Sequence, residues 1–174
     1  MHANEEGEAA SSGGFGQELR HYWGKLPDRG IFIVLIAAWC LLFYYCGWTS
    51  AIAGRTSSLY QWMWIKWTDP ANDASHGKLI PWVVLAIIWL RRRRLIDSVK
   101  GVWWPGLIGL GVALLLHVVG YLVQQPRFSM VALFFGGWNL IGLVWGPEAL
   151  KVTFFPFFLF GFCVPMGGGR LRRS

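Results

Sequence analysis

The sequence predicts an all-α fold: a polytopic integral membrane helical bundle of about five transmembrane helices. Three observations lead there. Of the 174 residues, 55% are hydrophobic and 14% are charged, whereas a soluble domain carries about 25% charged residues. The apolar residues gather in charge-free runs separated by short polar segments. Arginine and lysine cluster beside those runs, at 91–94 and 170–173, where they would meet lipid headgroups. The net charge of +7 therefore points to a membrane surface. Nucleic acid is excluded as a partner, because no broad basic surface with aromatic platforms is present.

Residues 1–28 are polar and rich in Gly, Ser and Glu. They cannot bury enough apolar surface to order themselves, so a disordered cytoplasmic N-terminus is expected. Glu5, Glu6 and Glu8 stand where a signal peptide would be basic. The first span runs from Ile31 to about Trp48, without a charge. Residues 49–78 form a Trp-rich polar loop carrying Arg55, Lys66, Asp69 and Asp73. Within it a short interfacial helix is expected around 56–67, because Leu59, Trp62, Met63 and Trp67 would share a face.

The second span, Leu79 to Leu90, is short, with Pro81 near its start. Pro is tolerated there because the missing N–H has no helical acceptor. Lys78 and Arg91 can snorkel to lengthen the crossing. The third span, Gly106 to Val123, follows Trp103, Trp104 and Pro105, and the QQPR turn joins it to the fourth, Phe128 to Trp145. The fifth runs from Val152 to about Val164 and contains Pro156. The transmembrane domain thus covers 29–166, and 167–174 form a basic tail. Trp48, Trp62, Trp64, Trp67, Trp103, Trp104 and Trp145 lie near run ends and are expected as interfacial anchors.

Orientation follows from the cations. Arg20, Lys25 and Arg29 place the N-terminus in the cytoplasm. Arg91, Arg92, Arg93, Arg94 and Lys100 place the loop after span two there as well. Segments 49–78 and 124–127 then face outward, and Glu148 and Lys151 face inward. A fifth crossing leaves Arg170, Arg172 and Arg173 outside, against the positive-inside bias. Either span five is re-entrant, or this tail is not what normally follows it.

Chemistry-bearing residues are few. Cys40 and Cys46 lie six residues apart, about 240° around a helix, and so cannot bridge each other. Cys163 sits in an apolar stretch with no base placed beside it. No metal spacing, cofactor motif, GxSxG, HExxH, Walker A or GxGxxG is found, so no catalytic residue, metal or cofactor is assigned. Ser75, His76 and Gly77 precede span two. His76 is either a proton carrier or substrate contact near the outer face, with Asp73 beside it, or part of a plain helix start with Ser75 as N-cap. Arg91 to Arg94 read as a topology determinant and lipid-phosphate contact. His117 lies mid-span, where an ionisable group is a functional candidate; Asn139 is the partner considered for it. Gly142–Gly146 forms a GxxxG, and Gly109 with Ala113 a small-xxx-small pair, both suited to close helix packing.

Several pieces, in order, resemble the N-terminal portion of an exosortase, of the exosortase/archaeosortase family. They are Ser75-His76-Gly77 with Leu79-Ile80-Pro81, then Trp89-Leu90-Arg91-Arg92-Arg93-Arg94, then Trp104-Pro105-Gly106. Gln125-Pro126-Arg127 with Phe128-Ser129 follows, then Gly146 with Ala149-Leu150, Phe155-Pro156-Phe157 and Val164-Pro165. The resemblance implies a bacterial inner-membrane protein of the cysteine protease or transpeptidase type. Its partners would be membrane lipids and proteins bearing PEP-CTERM-type C-terminal sorting signals. Family catalysis is assigned to a Cys in an A-x-x-C-S-G motif, an Arg and a His. None of the three cysteines here lies in such a motif, and His76 matches a motif position other than the usual catalytic His. The expectation is a truncated or frameshifted product that is inactive alone. The alternative is a non-enzymatic scaffold or assembly subunit. A small transporter is disfavoured, since there is no inverted repeat and almost no charge within the spans.

Overall fold

The computed structural model describes residues 15–24, 26–50, 55–68 and 75–164. The architecture is helical, with one small ribbon. Helix α1 covers Phe15–Gly24 and α2 covers Arg29–Tyr45. Two three-residue strands, β1 (Trp48–Ser50) and β2 (Arg55–Ser57), pair antiparallel with Thr49 opposite Thr56. Helix α3 is Leu59–Thr68, followed by a 3-10 turn at Ser75–Lys78 and α4 at Ile80–Leu90. Then come α5 (Arg92–Asp97), α6 (Pro105–Leu122), α7 (Pro126–Trp145), α8 (Pro147–Leu159) and a 3-10 turn at Phe160–Cys163.

Proline sets where several helices begin. Pro81, Pro105, Pro126 and Pro147 lie in the opening turns of α4, α6, α7 and α8. A fixed φ suits that position, and no N–H is lost there. The α6–α7 turn is tight: Gln124 takes φ 58, and Gln125 N–H donates to Gly120 O at 2.8 Å. Helices α6 and α7 are long and apolar enough to cross a membrane, and α2 and α4 are shorter apolar helices. Helix α4 has 11 residues, about 16 Å at 1.5 Å per residue, and it ends where Arg91 leaves helical geometry at φ −92, ψ 7.

Contacts at both ends show that α2, α4, α6, α7 and α8 alternate in direction. At one end Trp145 Nε1 donates to Pro27 O at 3.0 Å, and Arg91 Nη1 donates to Val152 O at 3.4 Å. There too Lys100 N–H donates to Trp145 O at 3.1 Å. At the other end Trp67 Nε1 donates to Cys163 O at 3.1 Å, and Tyr60 Oη donates to Cys40 O at 3.2 Å.

Helix α7 is the centre. It packs on α6, α8, α2 and α3, and its buried residues include Ser129, Ala132, Gly136, Gly137, Asn139 and Gly142. The ring of Trp39 from α2 lies directly on Gly136, and its indole N–H donates to Leu133 O at 3.0 Å. Helix α6 approaches through Gly106, Gly109 and Ala113. The small-xxx-small pair therefore packs helices, as expected. The GxxxG does not act as a unit. Gly142 receives Leu150, while Gly146 is the corner between α7 and α8 at φ 96, a conformation that favours glycine.

Other expectations change. Residues 15–24, expected to be disordered, form α1, which docks through Tyr22: Arg93 Nε donates to its Oη at 3.4 Å. Residues 1–14 lie outside the described residues, as does the tail from 165. The expected interfacial helix is α3, but its shared face, Leu59, Met63 and Trp67, points into the core. Trp67 and Trp145 are buried indole donors rather than exposed anchors. The fifth helix starts at Pro147, five residues before Val152. Glu148 and Lys151 belong to its first turns and pair at 3.0 Å. The surroundings of two helical glycines then predict a contrast. Gly136→Ala should destabilise the bundle by about 1–3 kcal/mol, because a Cβ would meet the Trp39 ring. Gly111→Ala, where a Cβ meets nothing, should stabilise by about 0.5–1 kcal/mol through helix propensity. Reversible unfolding in mixed micelles measures both.

Candidate functional site

The Ser75–Lys78 turn lies against α3, α4 and the Phe160–Cys163 turn. Gly77 is buried beneath Trp67, and a Cβ at Gly77 would stand 2.7 Å from Trp67 Cδ1. Only glycine lets this indole reach Cys163 O. Cys163 Sγ in turn donates weakly to Gly77 O at 3.7 Å. Gly77, Trp67 and Cys163 thus close one end of the bundle. Helix α4 begins at Ile80 with no side-chain cap, so Ser75 is not its N-cap: the intervening 3-10 turn separates them. The side chains of Ser75 and His76, and the whole of Asp73, lie outside the described residues.

Cys163 is 1% exposed. A thiol so enclosed, with a carbonyl as its hydrogen-bond partner, is built for packing and not for attack. Among the described residues no group of three or more His, Cys, Asp or Glu could hold a metal.

His117 is also buried, in α6. Its Nδ1 lies 3.0 Å from Ser129 Oγ in the first turns of α7. The Phe43 ring from α2 stands 4.5 Å away, centroid to centroid. The imidazole therefore joins three helices. Asn139 is not its partner. Its Nδ2 donates to Phe135 O at 2.8 Å, one turn back in its own helix, and its amide fills the space opposite Gly109.

The arginines make specific contacts within the bundle. Arg92 lies over the rings of Trp89 and Tyr22 at 4.4 and 4.9 Å. Its Nη1 donates to Trp89 O at 3.1 Å. The hydrogen bond from Arg93 holds the Tyr22 phenol below its ordinary range. Arg91 answers a defect in α8. Pro156 sits inside that helix without an N–H, so the carbonyl four residues earlier lacks its helical donor. That carbonyl is Val152 O, and Arg91 Nη1 donates to it while its guanidinium faces the Phe155 ring at 5.5 Å. Proline within an apolar run signals a freed carbonyl; which donor finds it is set by helix rotation. Beside this end Glu148 lies between Lys151 and Lys100, at 3.0 and 4.0 Å. The Lys151 hydrogen bond holds its carboxyl below the usual range.

The family model described as transmembrane exosortase matches residues 64–173. The chain belongs to the transmembrane exosortase family. No curated protein and no solved structure matches it. The match runs from within α3 through the Ser75–Lys78 turn, the arginines, His117 and Cys163. Family and apolar helices together make the chain a membrane protein.

In this exosortase-family bundle, His117 and Ser129 should be energetically coupled, and His117 and Asn139 should not. A double-mutant cycle with His117→Phe, Ser129→Ala and Asn139→Ala, read by unfolding in mixed micelles, checks this. The first pair should show about 0.5–2 kcal/mol of coupling and the second close to none.

Proposed function

We propose that this exosortase-family chain is a multi-pass protein of the bacterial cytoplasmic membrane, with five crossings and its N-terminus in the cytoplasm. It serves the processing of exported proteins bearing PEP-CTERM-type C-terminal sorting signals. The observation that carries the topology is the grouping of charge. Arg91 to Arg94, Lys100 and Lys151 gather at the end where Pro27 meets Trp145. Positive charge of this kind stays on the cytoplasmic side. The alternating directions of α2, α4, α6, α7 and α8 then take Gly77, Trp67 and Cys163 to the outer side. Lys78 and Arg91 flank the short α4 and extend it toward both headgroup regions.

Within that reading the residues of this chain supply scaffold, and cleavage is not expected of the chain alone. The A-x-x-C-S-G motif is not found in its sequence. The burial of Cys163 supports the same role, and favours the second reading of a scaffold or assembly subunit.

Two experiments test the proposal. In a chain stripped of native cysteines, a membrane-impermeant maleimide should label Gln124→Cys in intact spheroplasts and Asp97→Cys only after permeabilisation. The reverse pattern would overturn the orientation. A PEP-CTERM reporter expressed with this chain should remain full length. Processing that Cys163→Ala abolishes would show that this thiol is catalytic and end the scaffold reading.

A further inference from the structure

Helix α8 is held firmly up to Pro156 and lightly beyond it. In the first part Ala149, Thr153 and Pro156 are buried. Two side chains from other helices bind its backbone: Trp138 Nε1 donates to Leu150 O at 2.9 Å, and Arg91 Nη1 to Val152 O at 3.4 Å. From Phe157 to Val164 only Cys163 is buried. This stretch is tied at its tip, where Trp67 Nε1 donates to Cys163 O at 3.1 Å and Cys163 Sγ donates weakly to Gly77 O at 3.7 Å. Between tip and proline, the Phe160 ring stacks on Phe134 at 4.2 Å.

The same stretch has space on two sides. Toward α7 lies a groove of about 290 Å³, lined by Phe134, Trp138 and Phe157 among others. Toward α4 lies a cleft of about 350 Å³, lined by Val83, Leu159 and Phe162 among others. A Cβ at Gly161 would meet nothing within 4 Å.

A pivot stands where the two parts of α8 meet. Pro156 has no N–H for Val152 O, so the helix lacks a ladder bond at that point. Thr153 Oγ1 bonds back to Ala149 O at 2.8 Å, a contact that bends helices. After Leu159 the backbone tightens into the 3-10 turn Phe160–Cys163, whose hydrogen bonds are poorer in geometry.

We propose that residues 157–163 are a hinged strap that pivots at Pro156 and is latched by the Trp67 indole. Closed, the strap covers the Gly77 carbonyl and seals the Cys163 thiol. Open, it uncovers both and joins the groove to the cleft. One indole bond and one ring stack are a small restraint, of the size that local opening overcomes while a bundle stays folded. The inference needs neither the orientation nor the sorting role proposed above.

The test uses the full chain in mixed micelles with Cys40→Ala and Cys46→Ala, which leaves Cys163 as the reporter thiol. Its rate of reaction with N-ethylmaleimide measures opening, and hydrogen exchange read by mass spectrometry shows which segments open. Trp67→Phe keeps the apolar ring and removes the donor. It should speed both labelling and exchange of 157–163 about fivefold, the change that losing one neutral hydrogen bond gives, while exchange in α7 stays as it was. Trp39→Phe removes a comparable indole bond at the α2–α7 contact and should leave Cys163 labelling unchanged. Pro156→Ala returns an N–H to Val152 O and stiffens the pivot. In the Trp67→Phe background it should bring labelling back to the parent rate. An unchanged rate in Trp67→Phe, or a rise matched by faster exchange throughout α7, would overturn the strap. Labelling that stays fast in the Trp67→Phe, Pro156→Ala chain would overturn the pivot.

Discussion

One helix must touch four others at once, and this constraint governs the bundle. Helix α7 packs on α6, α8, α2 and α3. Lipid chains are as apolar as leucine, so no hydrophobic force drives helices together within a membrane; close fit and hydrogen bonds must do it. A central helix with large side chains all round would hold its neighbours too far away. The buried positions of α7 are accordingly small where approach is closest. Gly136 takes the Trp39 ring, Gly142 takes Leu150, and Ser129 meets His117 across the interface to α6. On the α6 side Gly106 lies against the Leu143 backbone and Gly109 against the Asn139 amide. Bulk is moved to the partners: Trp39 and Leu150 are large and fit surfaces that α7 leaves flat.

The second demand is that backbone polar groups find partners where water is scarce. Indole nitrogens answer much of it. Trp39, Trp67, Trp138 and Trp145 each donate to a carbonyl outside their own helix, at 2.9 to 3.1 Å. Each bond spans a gap between segments far apart in sequence or across the α7–α8 corner. The same logic explains Arg91. Pro156 bends the accounting of α8 by removing one donor, and a guanidinium from the end of α4 supplies another. Breaking α4 at Arg91 is what aims that side chain at α8 and leaves Arg92 for Trp89 and Tyr22. One arginine cluster thereby holds both α1 and α8.

Much of this was legible in the sequence. The apolar runs locate α2, α4, α6 and α7 to within a few residues, because a charge-free run in such a chain has few alternatives. The start of α8 was misplaced because Glu148 and Lys151 read as loop, whereas an exposed first turn accommodates an i,i+3 ion pair. Segment 15–24 read as disordered from its composition, yet Tyr22 gives it a place on the arginines. Pairing across helices was beyond reach. Whether His117 meets Asn139 or Ser129 depends on how α6 and α7 are rotated, and composition does not carry that angle. The tryptophans show the same limit. Their positions near run ends fit interfacial anchors, but Trp64 and Trp104 are exposed while Trp67 and Trp145 are buried donors.

Several residues that carry the family resemblance are under tight geometric demands. Gly77 lies beneath Trp67, Gly106 against Leu143, and Ser129 at His117. Gly146 turns the corner at φ 96, Ala149 is wholly buried, and Pro156 creates the vacancy that Arg91 fills. Each is a position where a different side chain would collide, strain the backbone or strand a polar group. A match built from such positions speaks for a shared architecture more directly than for shared chemistry. It explains how the chain can be recognised as an exosortase-family protein while Cys163 is sealed under Trp67 and Gly77. Of the residues in the opening motif, Gly77 now has a defined physical task, and that task is to let two ends of the bundle close on one another.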